Sequence, residues 1–125
     1  MTLRDGAVLA GGAIGTLGRA GTAELVPVGA GWPWATLGVN LVGTLLLALL
    51  VGWAGGRLEP DDLRLRFLAT GVLGGFTTFS AFAVEVQQLG LTATGMGYAA
   101  VSVTAGLALA RLGLSIAARP RTVAP

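Results

Sequence analysis

The residues able to do chemistry gather in one stretch, Gly71 to Glu85, read as GVLGGFTTFSAFAVE. It lies inside a long apolar segment, yet it holds paired glycines, three hydroxyls and a carboxylate. A lipid-facing helix would carry leucine at most of these places. Glycine costs a helix about 1 kcal/mol against alanine. Broken backbone at membrane depth is tolerated only where protein buries it or a wet cavity touches it. The stretch therefore predicts a membrane helix interrupted near its middle for a functional reason. Thr77 and Ser80, and likewise Phe79 and Phe82, are three residues apart and share a helical face.

Further polar groups interrupt other apolar runs. Thr36, Asn40 and Thr44 recur every four residues, with Gly43 beside them. An amide left without partners in hydrocarbon costs several kcal/mol, on the order of 4–8. Asn40 is therefore expected to face the protein interior, either as glue between helices or as a donor aimed into a pore. Tyr98, Ser102 and Gly106 form a similar stripe with Thr104 nearby. Ser102 alone would carry little meaning, because such hydroxyls often bond back to their own helix. Gly11, Gly15 and Arg19 share a third face. The two glycines allow close helix approach. Arg19 either snorkels to the headgroups or sits at a vestibule that attracts anions. Gly-Gly-Ala-Ile-Gly also suggests a phosphate loop, but no strand precedes it and no Gly-Lys-Ser/Thr follows.

The elements that must position these groups are membrane helices. The chain has 125 residues, 54% hydrophobic and 11% charged, and a mean hydropathy of +0.78. Spans of about 20 apolar residues are expected to cross a bilayer. Four are predicted, at 6–22, 34–54, 67–89 and 96–117, leaving little for a soluble domain and making 1–125 one integral membrane domain. Arg4 before an apolar run resembles a signal peptide, but three later spans argue for a multi-pass protein. Trp32 and Trp34 around Pro33 fit an interfacial belt at a helix entry.

With no Cys and no His, disulfides, Cys/His zinc sites and histidine acid–base chemistry are excluded. No nucleophile–base pair or metal cluster is present, so the chain is not expected to be an enzyme. Asp61 and Asp62 are adjacent but lack further ligands. All eight basic residues are arginine. They stand at segment ends and make no stripe for nucleic acid. With an even number of spans, Arg4, Arg57, Arg64, Arg66, Arg111, Arg119 and Arg121 fall on one side and Arg19 on the other. The positive-inside rule places both termini in the cytoplasm.

The interior set of Asn40, Thr77, Thr78, Ser80, Tyr98, Ser102, Phe79 and Phe82 offers donors and ring edges. It has no deep acid ring of the kind a cation pore uses. Aromatic edges are positive. Together with amide and hydroxyl donors they suit a small, hard, strongly hydrated anion. They replace its water without a fixed charge that would trap it. Freed carbonyls of Gly74 and Thr77 at the break offer oxygen to a cation such as Na⁺.

These motifs resemble the Fluc (CrcB) fluoride channels. The resemblance rests on Gly-Gly-Phe-Thr-Thr-Phe-Ser-Ala-Phe, on Thr-Leu-Gly-Val-Asn in the second span, and on Gly-Gly-x-x-Gly-x-x-x-Arg in the first. It covers nearly the whole chain. It implies an all-α membrane protein of four transmembrane helices, broken in the third, assembling as an antiparallel dimer in the cell membrane. It further implies two pores that export fluoride passively and protect the cell, with a structural Na⁺ at the dimer interface. By motif, Phe79 and Phe82 are the pore phenylalanines and Asn40 the pore amide. Gly74 and Thr77 are the Na⁺ carbonyl donors, and Arg19 lies by the vestibule. Tyr98 and Ser102, with Thr78 and Ser80, belong to the polar route. Gly106 stands where that pattern has a second serine. Family pattern favours a homodimer, whereas the lopsided arginines favour an oppositely inserted paralogue as partner.

Two other readings compete. A small proton-coupled multidrug transporter also has four spans and is dimeric, but needs an acid deep in the membrane. Glu85 lies near an edge, hydrated or paired with Arg19. A purely structural subunit would use the polar stripes only as glue.

Overall fold

The computed structural model describes residues 1–26, 31–55 and 57–118, and these are helical with no strand. Arg119 and Arg121 of the expected basic tail lie outside them. Helix α1 is Leu3–Leu25 and α2 is Trp34–Ala54. Helix α3 occupies 63–76, followed across a two-residue break by α4, Phe79–Leu89. Helix α5 is Ala93–Ala117. Three runs are long and apolar enough to cross a membrane: α2, α3–α4 taken together as Leu63–Leu89, and α5. The protein is an all-α, multi-pass membrane protein. Helix α1, at 23 residues, also has the length, but Arg4, Asp5, Arg19, Glu24 and its glycines make it less apolar than the other three.

Local signals set the ends. Thr2 and Asp5 form a reciprocal capping box at the start of α1: Asp5 N–H donates to Thr2 Oγ1 at 3.2 Å and Thr2 N–H to Asp5 Oδ2 at 2.8 Å. Asp62 caps α3 by accepting from Arg64 N–H at 2.8 Å, and Thr92 caps α5 by accepting from Gly95 N–H at 3.1 Å. Helix α4 ends at Gly90, whose φ of 65° suits glycine. Helices α3 and α5 begin before the predicted 67 and 96, because these caps lie upstream of the apolar runs.

Within α3 the stretch Arg66–Leu73 is wound as a π-helix, with Gly74 N–H reaching back to Ala69 C=O. Such wide turns are rare and tend to mark functional sites. The paired glycines do not themselves break the helix, because Gly74–Phe76 remains helical. Gly75 serves contact instead.

Helices α1 and α3 run parallel with backbones touching. A Cβ on Gly75 would lie 2.5 Å from Gly12 O, and one on Gly71 2.9 Å from Gly11 Cα. Gly15 faces Val72 O as closely. Helices α2 and α5 form the second parallel pair. There a Cβ on Gly113 would meet Ala48 Cβ at 2.7 Å, and one on Gly52 would meet Ala117 Cβ at 2.7 Å. Lipid tails are as apolar as leucine, so burial of leucine gives little drive and close backbone packing takes its place. The fully enclosed apolar set is accordingly small, and Leu9, Leu46, Leu107 and Ile116 face outward.

Two polar ties identify the ends of the bundle. Asp61 accepts from Arg4 Nη1 at 2.9 Å and also pairs with Arg66. The Arg66 hydrogen bond and charge, then the Arg4 charge, hold the Asp61 carboxyl below the usual carboxylate range. This cluster is solvent-exposed, so it orients more than it stabilises. At the opposite end Trp32 Nε1 donates to Thr94 O at 3.1 Å, joining the start of α2 to the start of α5.

Candidate functional site

The site is built on the break at Thr77–Thr78. Thr77 and Thr78 are both extended, with ψ of 160° and 119°. Thr77 N–H still reaches Leu73 O at 3.0 Å, but both backbone groups of Thr78 would be orphaned in a bilayer, and there Asn40 of α2 replaces the missing helix. Asn40 Nδ2 donates to Thr78 O at 2.9 Å, and Thr78 N–H donates to Asn40 Oδ1 at 2.8 Å. Thr78 Oγ1 then caps α4 by accepting from Ala81 N–H at 3.2 Å and lies 3.2 Å from Ser80 Oγ. Gly43 makes this possible, because a Cβ there would overlap Thr77 Cγ2.

These bonds decide which carbonyls are free. In an unbroken helix Thr78 N–H would serve Gly74 O, and Ala81 N–H would serve Thr77 O. Both donors are spent elsewhere, on Asn40 Oδ1 and Thr78 Oγ1. Gly74 and Thr77 therefore carry carbonyls released from the ladder, while Gly75 O accepts from Arg19 Nε at 3.3 Å. An oxygen-liking cation fits such a donor pair.

Beside the clasp is a groove of about 230 Å³, lined by Asn40, Gly43, Thr44, Leu47, Thr77, Thr78, Phe79 and Phe82. No lining residue is charged. The Asn40 amide has two N–H groups, of which one is used by Thr78 O. The Phe79 and Phe82 ring centroids lie 5.8 Å apart, and Phe82 lies 5.7 Å from Tyr98. Tyr98 is fully buried and continues to Trp32 at 6.1 Å. Phe79 was expected in the interior but is 79% exposed. It is the first residue of α4, at the exposed rim of the groove it shares with α2.

Tyr98 OH donates to Glu85 Oε2 at 2.7 Å, and Thr36 Oγ1 donates to Glu85 Oε1 at 2.6 Å. Glu85 is therefore bracketed by two hydroxyls and is not paired with Arg19, which turns to the carbonyl of Gly75. Its carboxylate also borders a wider mouth of about 320 Å³ with Trp32, Trp34 and Gln88. Ser102 lies one turn beyond Tyr98 on α5, and its Oγ is buried with no partner among the described residues. Thr104 bonds back to Ala100 O at 2.7 Å and is outside this set. At Gly106 a Cβ would meet nothing within 4 Å.

The structure thus joins Asn40, Thr78, Ser80, Phe79 and Phe82 at the break, with Tyr98 behind Phe82 and Ser102 one turn further along α5. Arg19 sits apart, on α1 against Gly75. The family model described as CrcB-like protein, Camphor Resistance (CrcB), matches residues 6–114. The chain belongs to the CrcB family. A relative from Hyphomonas neptunium, named fluoride-specific ion channel FluC, is 47% identical over 120 residues, covering 90% of this chain and 93% of the relative. One of the same name from Novosphingobium aromaticivorans is 45% identical over 117 residues, covering 87% and 91%. Fluoride-specific ion channel FluC 1 of Mycobacterium tuberculosis is 39% identical over 119 residues, covering 92% and 90%. In this CrcB chain the pairing of Glu85 with Thr36 and Tyr98 escaped the sequence pattern. The signal that could have found it is Thr36, already on the Asn40 face, where a buried hydroxyl needs an acceptor.

Proposed function

We propose that the chain is a subunit of a fluoride-selective channel, which lets fluoride leave the cell down its gradient and so limits fluoride toxicity. The carrying observation is the uncharged groove at the helix break, where the Asn40–Thr78 clasp lies against the Phe79 and Phe82 rings. The relatives' names point the same way. The spare Asn40 N–H, the Thr78 and Ser80 hydroxyls and the positive ring edges can replace water around a small anion. With no fixed positive charge in the groove, the anion is free to leave. The route then continues past Tyr98 to Ser102, and Arg19 raises the local anion concentration at the vestibule.

Purified protein in liposomes is expected to discharge a fluoride gradient but not a chloride gradient, read with ion-selective electrodes. No fluoride efflux would remove the proposal. Phe79→Ile and Phe82→Ile each lower the flux about fivefold, the order expected when a ring-edge contact of about 1 kcal/mol is lost at the barrier. Unchanged flux in both would leave ring edges without a role.

The working unit in this reading is an antiparallel dimer in the bilayer. Two points support it. The exposed Phe79 ring lacks a full set of neighbours in its own chain, and Gly74 and Thr77 supply only two carbonyls. Na⁺ would take these two from each copy across a two-fold axis. Bound there, it would brace the break electrostatically against passing anions. The partner is either a second copy or an oppositely inserted paralogue. Cysteine-accessibility mapping of both termini decides between them: termini reachable from both sides of the membrane fit a homodimer, and termini on one side only exclude it.

A further inference from the structure

We infer that the mouth beside Glu85 binds a small guanidinium cation, held between the Glu85 carboxylate and a wall of two indoles. The mouth has a volume of about 320 Å³, and its lining includes Trp32, Pro33, Trp34, Glu85, Gln88 and Leu89. Mostly apolar and aromatic walls with a few polar groups are the make-up of a small-molecule site. It lies where α1 and α4 end and α2 begins, and it shares no lining residue with the groove at the helix break.

Charge sets the sign of the ligand. On the segments that meet at this end, 19–37 and 82–97, the charged residues are Arg19, Glu24 and Glu85, so carboxylates outnumber arginine two to one. Arg19 spends its Nε on the Gly75 carbonyl at 3.3 Å. Both ion pairs among the described residues belong to Asp61, at the opposite end. Glu85 therefore borders the mouth with no cationic partner among the described residues.

Hydrogen bonding and ring geometry set its shape. Thr36 Oγ1 and Tyr98 OH each donate to a different Glu85 oxygen, at 2.6 and 2.7 Å. These bonds pin the carboxylate, and a carboxylate oxygen can accept twice, so each oxygen keeps one acceptor site. A guanidinium fills both sites with a parallel pair of N–H donors. The Gln88 amide oxygen is a further acceptor at the same mouth. The Trp32 and Trp34 ring centroids are 5.5 Å apart with their planes at 40°, so the rings touch and make one bent wall with no slot between them. A planar, weakly hydrated guanidinium stacks on such a wall. A metal ion would gain nothing from the indoles and would find few oxygens here.

The test uses the full chain in detergent carrying Trp53→Phe, which leaves Trp32 and Trp34 as its tryptophans, so that emission reports on the mouth. Methylguanidinium chloride is expected to change that emission saturably, and sodium chloride at equal ionic strength to leave it unaltered. Tetramethylammonium, which has no N–H donor, is expected to bind about tenfold more weakly. Glu85→Gln lowers the affinity for methylguanidinium about tenfold or more, as expected on losing a charge-assisted hydrogen bond. Trp34→Leu lowers it about fivefold, the worth of a partly exposed cation–π contact. Trp34 is 55% exposed, so this variant opens no hole in the bundle. Glu24→Gln removes an exposed carboxylate outside the mouth and leaves binding unaltered. The proposal is overturned by any of four results: no saturable response from the starting protein, Glu85→Gln or Trp34→Leu binding as tightly as that protein, tetramethylammonium binding as tightly as methylguanidinium, or a Glu24→Gln loss as large as that of Glu85→Gln. The last would mean diffuse charge attraction. None of these readouts depends on fluoride transport.

Discussion

Asn40→Leu should abolish fluoride efflux from liposomes while the protein still inserts. The replacement is similar in size but cannot bond. Thr78 N–H and Thr78 C=O, now satisfied at 2.8 and 2.9 Å, would both be orphaned at membrane depth. Each buried unsatisfied group costs about 1–3 kcal/mol. The chain can relieve that cost only by rewinding or collapsing the break. Either move carries Phe79, Ser80 and the freed Gly74 and Thr77 carbonyls out of place. A loss of about 3 kcal/mol in the conducting geometry corresponds to roughly a hundredfold in flux. Melting temperature in detergent should fall as well. Asn40→Asp separates two roles, because it keeps an acceptor for Thr78 N–H but removes the amide donors. It is expected to restore part of the stability and none of the flux. If Asn40→Leu conducts normally, the clasp is only glue and the groove is not the route.

Gly15→Leu should prevent assembly of the bundle altogether. Helices α1 and α3 are held by backbone contact, and a Cβ on Gly15 would stand 2.8 Å from Phe76 N and 2.9 Å from Val72 C, closer than carbon approaches such atoms. The obstruction is backbone, which cannot rotate aside as a side chain could. Relief requires the helices to separate along their length, and the close packing that replaces a hydrophobic drive in lipid is lost with it. Overpacking costs about 1–3 kcal/mol in a soluble core, and a helix pair sealed by glycine is expected at or above the upper end. Size-exclusion chromatography in detergent should show aggregate in place of a single species. Gly21→Leu, where a Cβ meets nothing within 4 Å, is the matched control and should behave as the parent. A monodisperse, active Gly15→Leu protein would mean that α1 does not pack as described.

Much of this site was legible before any coordinates. An isolated Asn in a leucine-rich run, hydroxyls beside phenylalanines and a glycine pair are conspicuous because lipid penalises each of them. Periodicity placed Asn40, Thr36 and Thr44 on one face, and the Gly11–Gly15 spacing announced a close helix contact. Other features could not be read. Sequence pointed to an interruption near the middle of the third span, and only the structure put it at Thr77–Thr78. The reason is that Gly75 is packed against Gly12 within the helix, while Asn40 supplies partners for both backbone groups of Thr78. Spacing along one chain does not reveal a partner contributed by another helix.

Composition and periodicity by themselves determined the membrane class, the apolar helices, the polar faces and the lopsided arginines. These follow from the cost of polar groups in hydrocarbon, which acts residue by residue. Only the tertiary structure decided that Asn40 clasps Thr78, that Glu85 is taken by Thr36 and Tyr98 instead of Arg19, and that Phe79 stands at the exposed rim of its groove. Each of those depends on the angle and register at which two helices meet, and that is a property of packed pairs that no single stretch encodes.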